Sequence, residues 1–487
     1  MENIAFQPEL RPVIPTVYGP KDYNDMRETF EQIDRILIES GVEHSFIARK
    51  IISIKDSVSY QKRYKTYWLA LRYGILLAIT GFPYRQLAAA VADSNVFQWF
   101  VGAGHIDGVR PLSKSSIERF EKLIPAEEIM ELVDKLNKAV ADEKIVEQLL
   151  YREAEMKMDR IFADTTCMPA NIHFPVDWLL LRDATKTLMK SIVYIRKHGL
   201  KHRIADPKSF IRQMNKLCME MTQTRRKKDA LKTRKKVFRK MKKLIKTVES
   251  HGNNYRKLLA EHWRESDLSE AEAQVVLDRM DCVLLQLPDA VKQAHERIIG
   301  GRRVRSEDKI LSLYESEIHV IVRGKAGAEV EFGNTLYLAE QEDGLIVDWE
   351  LHEGKPPADS KLVESSMERI EAVHGRPESF TADRGFDAKH SRGFLEKQGI
   401  DNGICPRSVS ALQEKLDDEG FRLLQWRRSQ TEGRIGIFKN AYLGRPLPSK
   451  GFEHRKTRLA WCVLAHNLWK LGKVAAEEKN RLQAQAI

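Results

Sequence analysis

The stretch Met158-Asp159-Arg160-Ile161-Phe162-Ala163-Asp164-Thr165-Thr166 decides how this chain is read. From about Lys21 to Leu149 apolar residues recur at helical spacing, and Val176 to Ile195 returns to that spacing. Between them Ile161, Phe162 and Ala163 form a short apolar run that closes on an acid. That is the pattern of a buried strand carrying a carboxylate out at its end. Asp159, five residues earlier, falls on the opposite face of such a strand.

Outward from this point, strand character resumes at Glu317 to Val322 and again at Gly333 to Ala339. The turn Glu342-Asp343-Gly344 leads into Leu345 to Leu351, and an Asp-Gly pair between two alternating runs signals a hairpin. A helix capped by Asp359 runs to about Val373. Ser379 to Ala382 is a further strand ending at Asp383, Ala388 to Lys397 is helix, Ile400 to Cys405 is strand, and the remainder to about Lys473 is helical. A hairpin followed by strand–helix alternation makes a mixed α/β core. The expected organisation is an extended arm at 1–20, an N-terminal helical domain at 21–155, a first part of the core at 156–199, a helical insertion at 200–310, the second part of the core at 311–475, and a tail at 476–487.

Within the N-terminal region, Tyr67 to Thr80 is followed by Gly81-Phe82-Pro83, which stops one helix and starts the next. Ser113 reads as the N-cap of another helix. Short helices with tight connections resemble a helix-turn-helix DNA reader; a bundle that docks on the rest of the chain is the other reading.

The chain has 487 residues, too many for one ordinary core, and a formal charge of +12. Such a basic excess favours a polyanionic partner. No run of about 18 apolar residues is present to span a membrane; Tyr67 to Phe82 is interrupted by Arg72 and reads as a buried helix. Five scattered cysteines (Cys167, Cys218, Cys282, Cys405, Cys462) without a Cys-x-x-Cys pair suit reduced thiols in a cytosolic protein rather than a zinc site.

Charge is most concentrated from Arg225 to Lys246, where thirteen Lys and Arg in 22 residues face one acid, Asp229. A solvated helix face is the usual meaning of such a run. Mutual repulsion at this density favours contact with a DNA backbone through Arg225, Arg226, Lys227, Lys228, Arg234, Lys235, Lys236, Arg239 and Lys240. Arg302, Arg303 and Arg305 extend that reading. Lys325, between strands, reads equally as a phosphate contact and as ordinary surface.

Three acids stand in contexts suited to metal chemistry: Asp164, Asp383 in Thr381-Ala382-Asp383-Arg384-Gly385, and Glu432 in Arg428-x3-Glu432-x6-Lys439. On a helix Arg428, Glu432 and Lys439 share one face, a carboxylate flanked by two cations that can grip phosphates. Together with Asp164-Thr165-Thr166 and Ala170 to Asp177, these blocks resemble bacterial insertion-sequence transposases of the DDE class, closest to the ISNCY type. Gln425 stands where the family signature carries tyrosine.

The resemblance runs from about residue 60 to 470. It implies a ribonuclease H-like catalytic core, Asp164, Asp383 and Glu432 as ligands of Mg²⁺ (with Mn²⁺ able to substitute), and cutting and joining of double-stranded DNA. The expected partners are terminal inverted repeats read by the N-terminal helices, target DNA, and a second copy of the chain or a larger assembly. A nuclease without strand transfer and a non-catalytic DNA-binding descendant are the competing expectations. Trp426 reads as buried, with stacking on an unpaired base the lesser alternative. Trp461, Trp469 and His466 read as core, Asp177, Asp183 and Asp359 as caps, and Asp387 as structural.

Overall fold

The computed structural model describes residues 11–105, 107–224, 229–325, 328–444 and 447–485. Helices α1 (Lys21–Glu39), α2 (Val42–Lys50), α3 (Ser57–Thr80), α4 (Tyr84–Asp93) and α5 (Asn95–Phe100) come first. A small hairpin, β1 (Gly104–His105) with β2 (Gly108–Val109), precedes α6 (Lys114–Glu121), α7 (Ala126–Val140) and α8 (Glu143–Leu150). Next is β3 (Arg160–Pro169), followed by α9 (Asp177–Lys197), α10 (Pro207–Gln223), α11 (Ala230–His262) and α12 (Glu270–Ile298). Then come β4 (His319–Lys325), β5 (Ala328–Gln341), β6 (Ile346–Leu351), α13 (Leu362–His374) and β7 (Ser379–Thr381). The chain continues through α14 (Lys389–Gln398), β8 (Asp401–Asn402), α15 (Val409–Leu416), α16 (Glu419–Ile437), a π-helical turn at Phe438–Leu443, and α17 (Phe452–Gln485).

Contacts divide the chain into two units. One holds Met1–Pro169, Thr335–His352 and Pro356–Ile487; the other holds Ala170–Asn334 and Glu353–Lys355. In the first unit the strand order is β6-β5-β3-β7-β8, with β3 central. β5 and β6 pair antiparallel, Leu338 opposite Trp349, as the Asp-Gly turn predicts. β3 and β7 are parallel, as are β7 and β8. The sheet is therefore mixed, a hairpin on one side of β3 and crossover strands on the other.

The helices before β3 do not form a core of their own. α17 packs along α1, α3, α7 and α8 and shares one hydrophobic core with them and the sheet. The run Leu459 to Ala465 is buried on every side, so this helix serves several neighbours at once. Trp461 is fully buried, donates from Nε1 to the Glu121 carbonyl at 3.0 Å, and lies flat against Gly74 of α3. A Cβ at position 74 would sit 2.6 Å from the indole, so only glycine admits the ring. Asn467 of α17 brackets the edge strand β6, accepting from Ile346 N at 2.9 Å and donating to Ile346 O at 2.9 Å, while Asn137 of α7 donates to the same carbonyl. An edge that would otherwise invite pairing is covered. The separate N-terminal domain expected at 21–155 is thus part of the unit that carries the sheet.

Several boundaries also move. β3 continues to Pro169, so Asp164 is a mid-strand residue and not a strand end. β8 is only two residues long, and the expected tail at 476–487 is helical as far as Gln485. Pro83 caps rather than begins α4, and Ser113 caps α6 as expected, accepting from Ser116 N. Arg11 of the arm pairs with Asp34 at 2.8 Å, and fully buried Arg72 pairs with Asp34 and Glu43.

The second unit is a helical cluster with its own core, including Leu188, Ile192, Phe238, Met241, Tyr255, Met280 and Leu287. α12 opens on a capping box, Ser269 with Glu272. Asp177 and Asp183, expected as caps, do not cap α9: Val176 is its N-cap, Asp183 lies inside it, and Asp177 is buried and accepts from Gln293 at 3.0 Å and Arg297 at 2.8 Å. No single helix among the described residues is long and apolar enough to cross a membrane. The five cysteines are free thiols, three of them buried.

Candidate active site

Parallel pairing of β3 with β7 sets the first two acids side by side. Phe162 lies opposite Thr381, so Asp164 and Asp383 each stand two residues beyond that matched pair, Asp164 midway along β3 and Asp383 just past the end of β7. Neighbouring strands run about 4.8 Å apart, which places the two carboxylates on a common ledge. Asp164 Oδ1 accepts from Thr165 N and Asp383 Oδ1 from Gly385 N, both at 2.7 Å.

The third acid arrives on α16, and a buried carboxylate on the sheet holds that helix. Glu340 of β5 accepts from Arg427 at 3.0 Å, Thr431 at 2.7 Å and Arg434 at 3.2 Å. The Arg427 guanidinium also covers the Phe162 ring of β3 at 4.5 Å. On the outer side, Gln425 donates to Gly403 O at 2.6 Å and accepts from Arg428 Nε at 3.1 Å. Arg428 in turn donates to Glu432 Oε1 at 3.1 Å. The residue in the tyrosine position is thus a spacer that ties α16 to the end of β8 and aims Arg428.

These three acids influence one another. Burial, then Asp383, then Glu432 push the Asp164 carboxyl up to about 6, against the relief given by the Thr165 N–H and Arg428. Asp359, read from sequence as a cap, belongs to the same group. It starts a 3₁₀ turn, Asp359–Lys361, without capping it, and lies close enough to Thr165 and Asp383 for both to act on its carboxyl. Burial and the neighbouring Asp383 raise its carboxyl above the usual range. The Pro-Pro-Ala-Asp-Ser context suits a cap so well that nothing local distinguishes the two roles.

Other sequence-predicted residues are placed differently from expectation. α16 continues without a break into the π-helical turn Phe438–Leu443, which carries Lys439. Lys439 is buried and donates to Thr166 Oγ1 at 3.0 Å, two residues from Asp164. Trp426 is 66% exposed, not buried. His466 packs edge-on against Phe438 and Tyr442, and Asp387 pairs with Arg392 and accepts from Arg407 N, both structural as read.

In the helical unit, Lys236, Arg239 and Lys240 stand exposed on α11 while Val237, Phe238 and Met241 fill its buried face. Arg234 and Lys235 are half-buried, Arg234 over the Trp178 ring at 5.8 Å. Arg225, Arg226, Lys227 and Lys228 lie outside the described residues, and so does the side chain of Lys325 at the end of β4. Arg302 and Arg305 are tied to Glu296 and to Glu307 and Asp308.

Among the described residues no three His, Cys, Asp or Glu side chains are gathered tightly enough to hold a metal ion as they stand. The donor chemistry nonetheless suits a hard cation: every ligand offered is a carboxylate oxygen, as Mg²⁺ prefers. Gly385 lets Asp383 Oδ1 and Asp359 Oδ2 approach closely, 2.8 and 3.0 Å from where a Cβ would lie. Glu432 is 60% exposed, and freeing it from Arg428 breaks an i,i+4 pair worth about 0.3–0.5 kcal/mol. No family model matches the chain, and neither a curated protein nor a solved structure matches it.

Proposed function

We propose that the protein is a DNA transposase of the DDE class, with Asp164, Asp383 and Glu432 as its catalytic acids. The observation that carries this reading is the parallel register of β3 and β7, which sets Asp164 beside Asp383, with Glu432 of α16 near enough that its charge and that of Asp383 add to burial in raising the Asp164 carboxyl. Acids assembled against their mutual repulsion are the signature of a functional site rather than a stabilising one. A central strand flanked by a hairpin on one side and parallel strands on the other supports a ribonuclease H-like core.

Asp164, Asp383 and Glu432 would hold Mg²⁺ or Mn²⁺, which supplies an activated water or 3′-hydroxyl and charge stabilisation at the scissile phosphate. The chain's own groups do the rest. β3 and β7 fix two carboxylates in register, and Glu340 holds α16 in place so that Glu432 faces them. Arg428 offers a guanidinium to a phosphate once Glu432 is drawn away, a bidentate geometry that lysine lacks. Lys439, buried on Thr166, steadies the β3 segment next to Asp164 rather than touching phosphate. The exposed cations of α11 supply affinity for the backbone of terminal-repeat and target DNA without reading sequence. Joining two ends requires a dimer or larger assembly on DNA.

The test is a joining assay with labelled transposon-end DNA and a circular plasmid. Wild type is expected to give joined products in Mg²⁺. Asp383→Asn is expected to lose them by at least about 100-fold while binding the same DNA. Cleavage without joining would favour a nuclease on this core. Binding without either would leave a non-catalytic descendant.

A further inference from the structure

We propose that a cavity lined by α3, α6 and α17 binds a small organic phosphate, its phosphate met by Ser449, Lys450 and Arg458 and its apolar body by Leu77, Phe82 and Pro448. No residue of this cavity belongs to the group around Asp164, and the inference does not rest on the transposase reading.

The cavity measures about 430 Å³, the size of a small-molecule site rather than of a packing defect. Part of its lining is a closed network. Glu121 of α6 is buried; it accepts from the Tyr84 hydroxyl and from Arg458 at 3.0 Å, and meets His454 Nε2 at 3.4 Å. Arg458 also donates to the Leu77 carbonyl at 3.3 Å.

What that network leaves over points to a ligand. Arg458 is 4% exposed, and its buried Nε–H has no acceptor among the described residues. Ser449 is 5% exposed, and among the described residues its hydroxyl makes no hydrogen bond. Buried polar groups are nearly always paired, so two left open on one cavity call for a partner from outside the chain.

Charge says which kind. Glu118 is paired with Lys122 at 3.2 Å and Glu121 with Arg458, which leaves Lys450 as the uncompensated cation of the lining among the described residues. Water would meet the two open groups but not this charge, whereas phosphate oxygens meet all of them. Leu77, Phe82, Pro83 and Pro448 complete the lining with apolar surface, which a free inorganic ion leaves wet and an organic body covers.

The experiment is calorimetric titration of the full chain with phenyl phosphate, inorganic phosphate and phenol, the whole probe and its two halves. Phenyl phosphate is expected to bind at least about 10-fold more tightly than either half. Ser449→Ala and Lys450→Glu lie outside the Glu121 network and keep the fold, which melting without ligand checks. Each is expected to weaken phenyl phosphate about 10-fold. If Ser449→Ala melts early, Lys450→Glu decides alone. No uptake by wild type at millimolar probe overturns the proposal. So does inorganic phosphate binding as tightly as phenyl phosphate, since that is an ion held by surface cations. Wild-type affinity in both variants also overturns it, because the probe then sits elsewhere. None of these results touches the acids, so joining of DNA stands or falls separately.

Discussion

The acids around Asp164 and the cations of α11 are two charged regions built on opposite plans. The acids come from β3, from the loops either side of α13 and β7, and from α16, and only the finished sheet brings them together. The cations follow one another along a single helix whose other face fills a local core. The first arrangement holds like charges close in partial burial, where their repulsion is strong; the second spreads them into water, where it is screened. Chemistry at one phosphate needs the first plan, whereas affinity for a long polyanion needs only the second.

The largest effect expected from this contrast is on binding. Reversing Lys236, Arg239 and Lys240 to Glu should lower duplex affinity about 100-fold or more near 0.1 M salt. The dependence of log affinity on log salt should become shallower by about three. Anisotropy across a salt series checks both, and an unchanged slope would mean that α11 presents nothing but a solvated face. Cleavage per bound complex should not change.

Acidification separates a paired buried carboxylate from the unpaired ones. Burial opposes ionisation of Glu121, but His454, Arg458 and Tyr84 override it and hold the carboxyl at about 2. Its folded value lies below its unfolded one, so the stabilisation is complete above about pH 4.5. It disappears as pH falls toward 2, amounting to about 3 kcal/mol. Glu121→Gln should flatten this part of a stability-versus-pH curve; an identical curve would count against the network.

Asp164 should behave in the reverse sense. Its folded value is raised to about 6, so ionisation costs stability, from nothing below about pH 3.8 to the full amount above pH 6. Asp164→Asn is therefore expected to stabilise the metal-free protein at pH 8 by about 3 kcal/mol and to leave it unchanged near pH 3.5. Melting in chelator at the two pH values decides, and a destabilised variant at pH 8 would sink the picture of a carboxylate buried beside like charges. The smallest effect belongs to the locally built unit: Ser269→Ala should cost about 1 kcal/mol through loss of the α12 capping box.

The same contrast explains what could be read in the sequence. Strand and helix patterns placed β3, the β5–β6 hairpin, β7 and the helical run of the second unit, because each is a local property. Asp164, Asp383 and Glu432 were singled out through their flanking motif residues, and the fold brings Asp383 and Glu432 near enough to act on Asp164. The burial of Asp359 beside Asp383 was not legible, since only the fold brings the two together. Lys439 was read as a phosphate contact, but its burial against Thr166 depends on the packing of α16 on β3, which spacing along one helix does not report. Trp426 was taken as core although α16 has no continuous apolar stripe, and exposed Leu423 accompanies it. The shared core of the N-terminal helices and α17 lay beyond any local window.

The path of the chain through β5 has a consequence for synthesis. That strand begins among the residues of the helical unit and finishes in the sheet, on the far side of the whole helical segment from β3. A growing polypeptide therefore exposes Ile161 to Cys167 with neither neighbouring strand yet made, while α9 to α12 can condense without delay. Nascent β3 is left as a sticky ribbon awaiting both flanks, so recovery of the protein should depend on chaperone supply during translation more than on its final thermal stability.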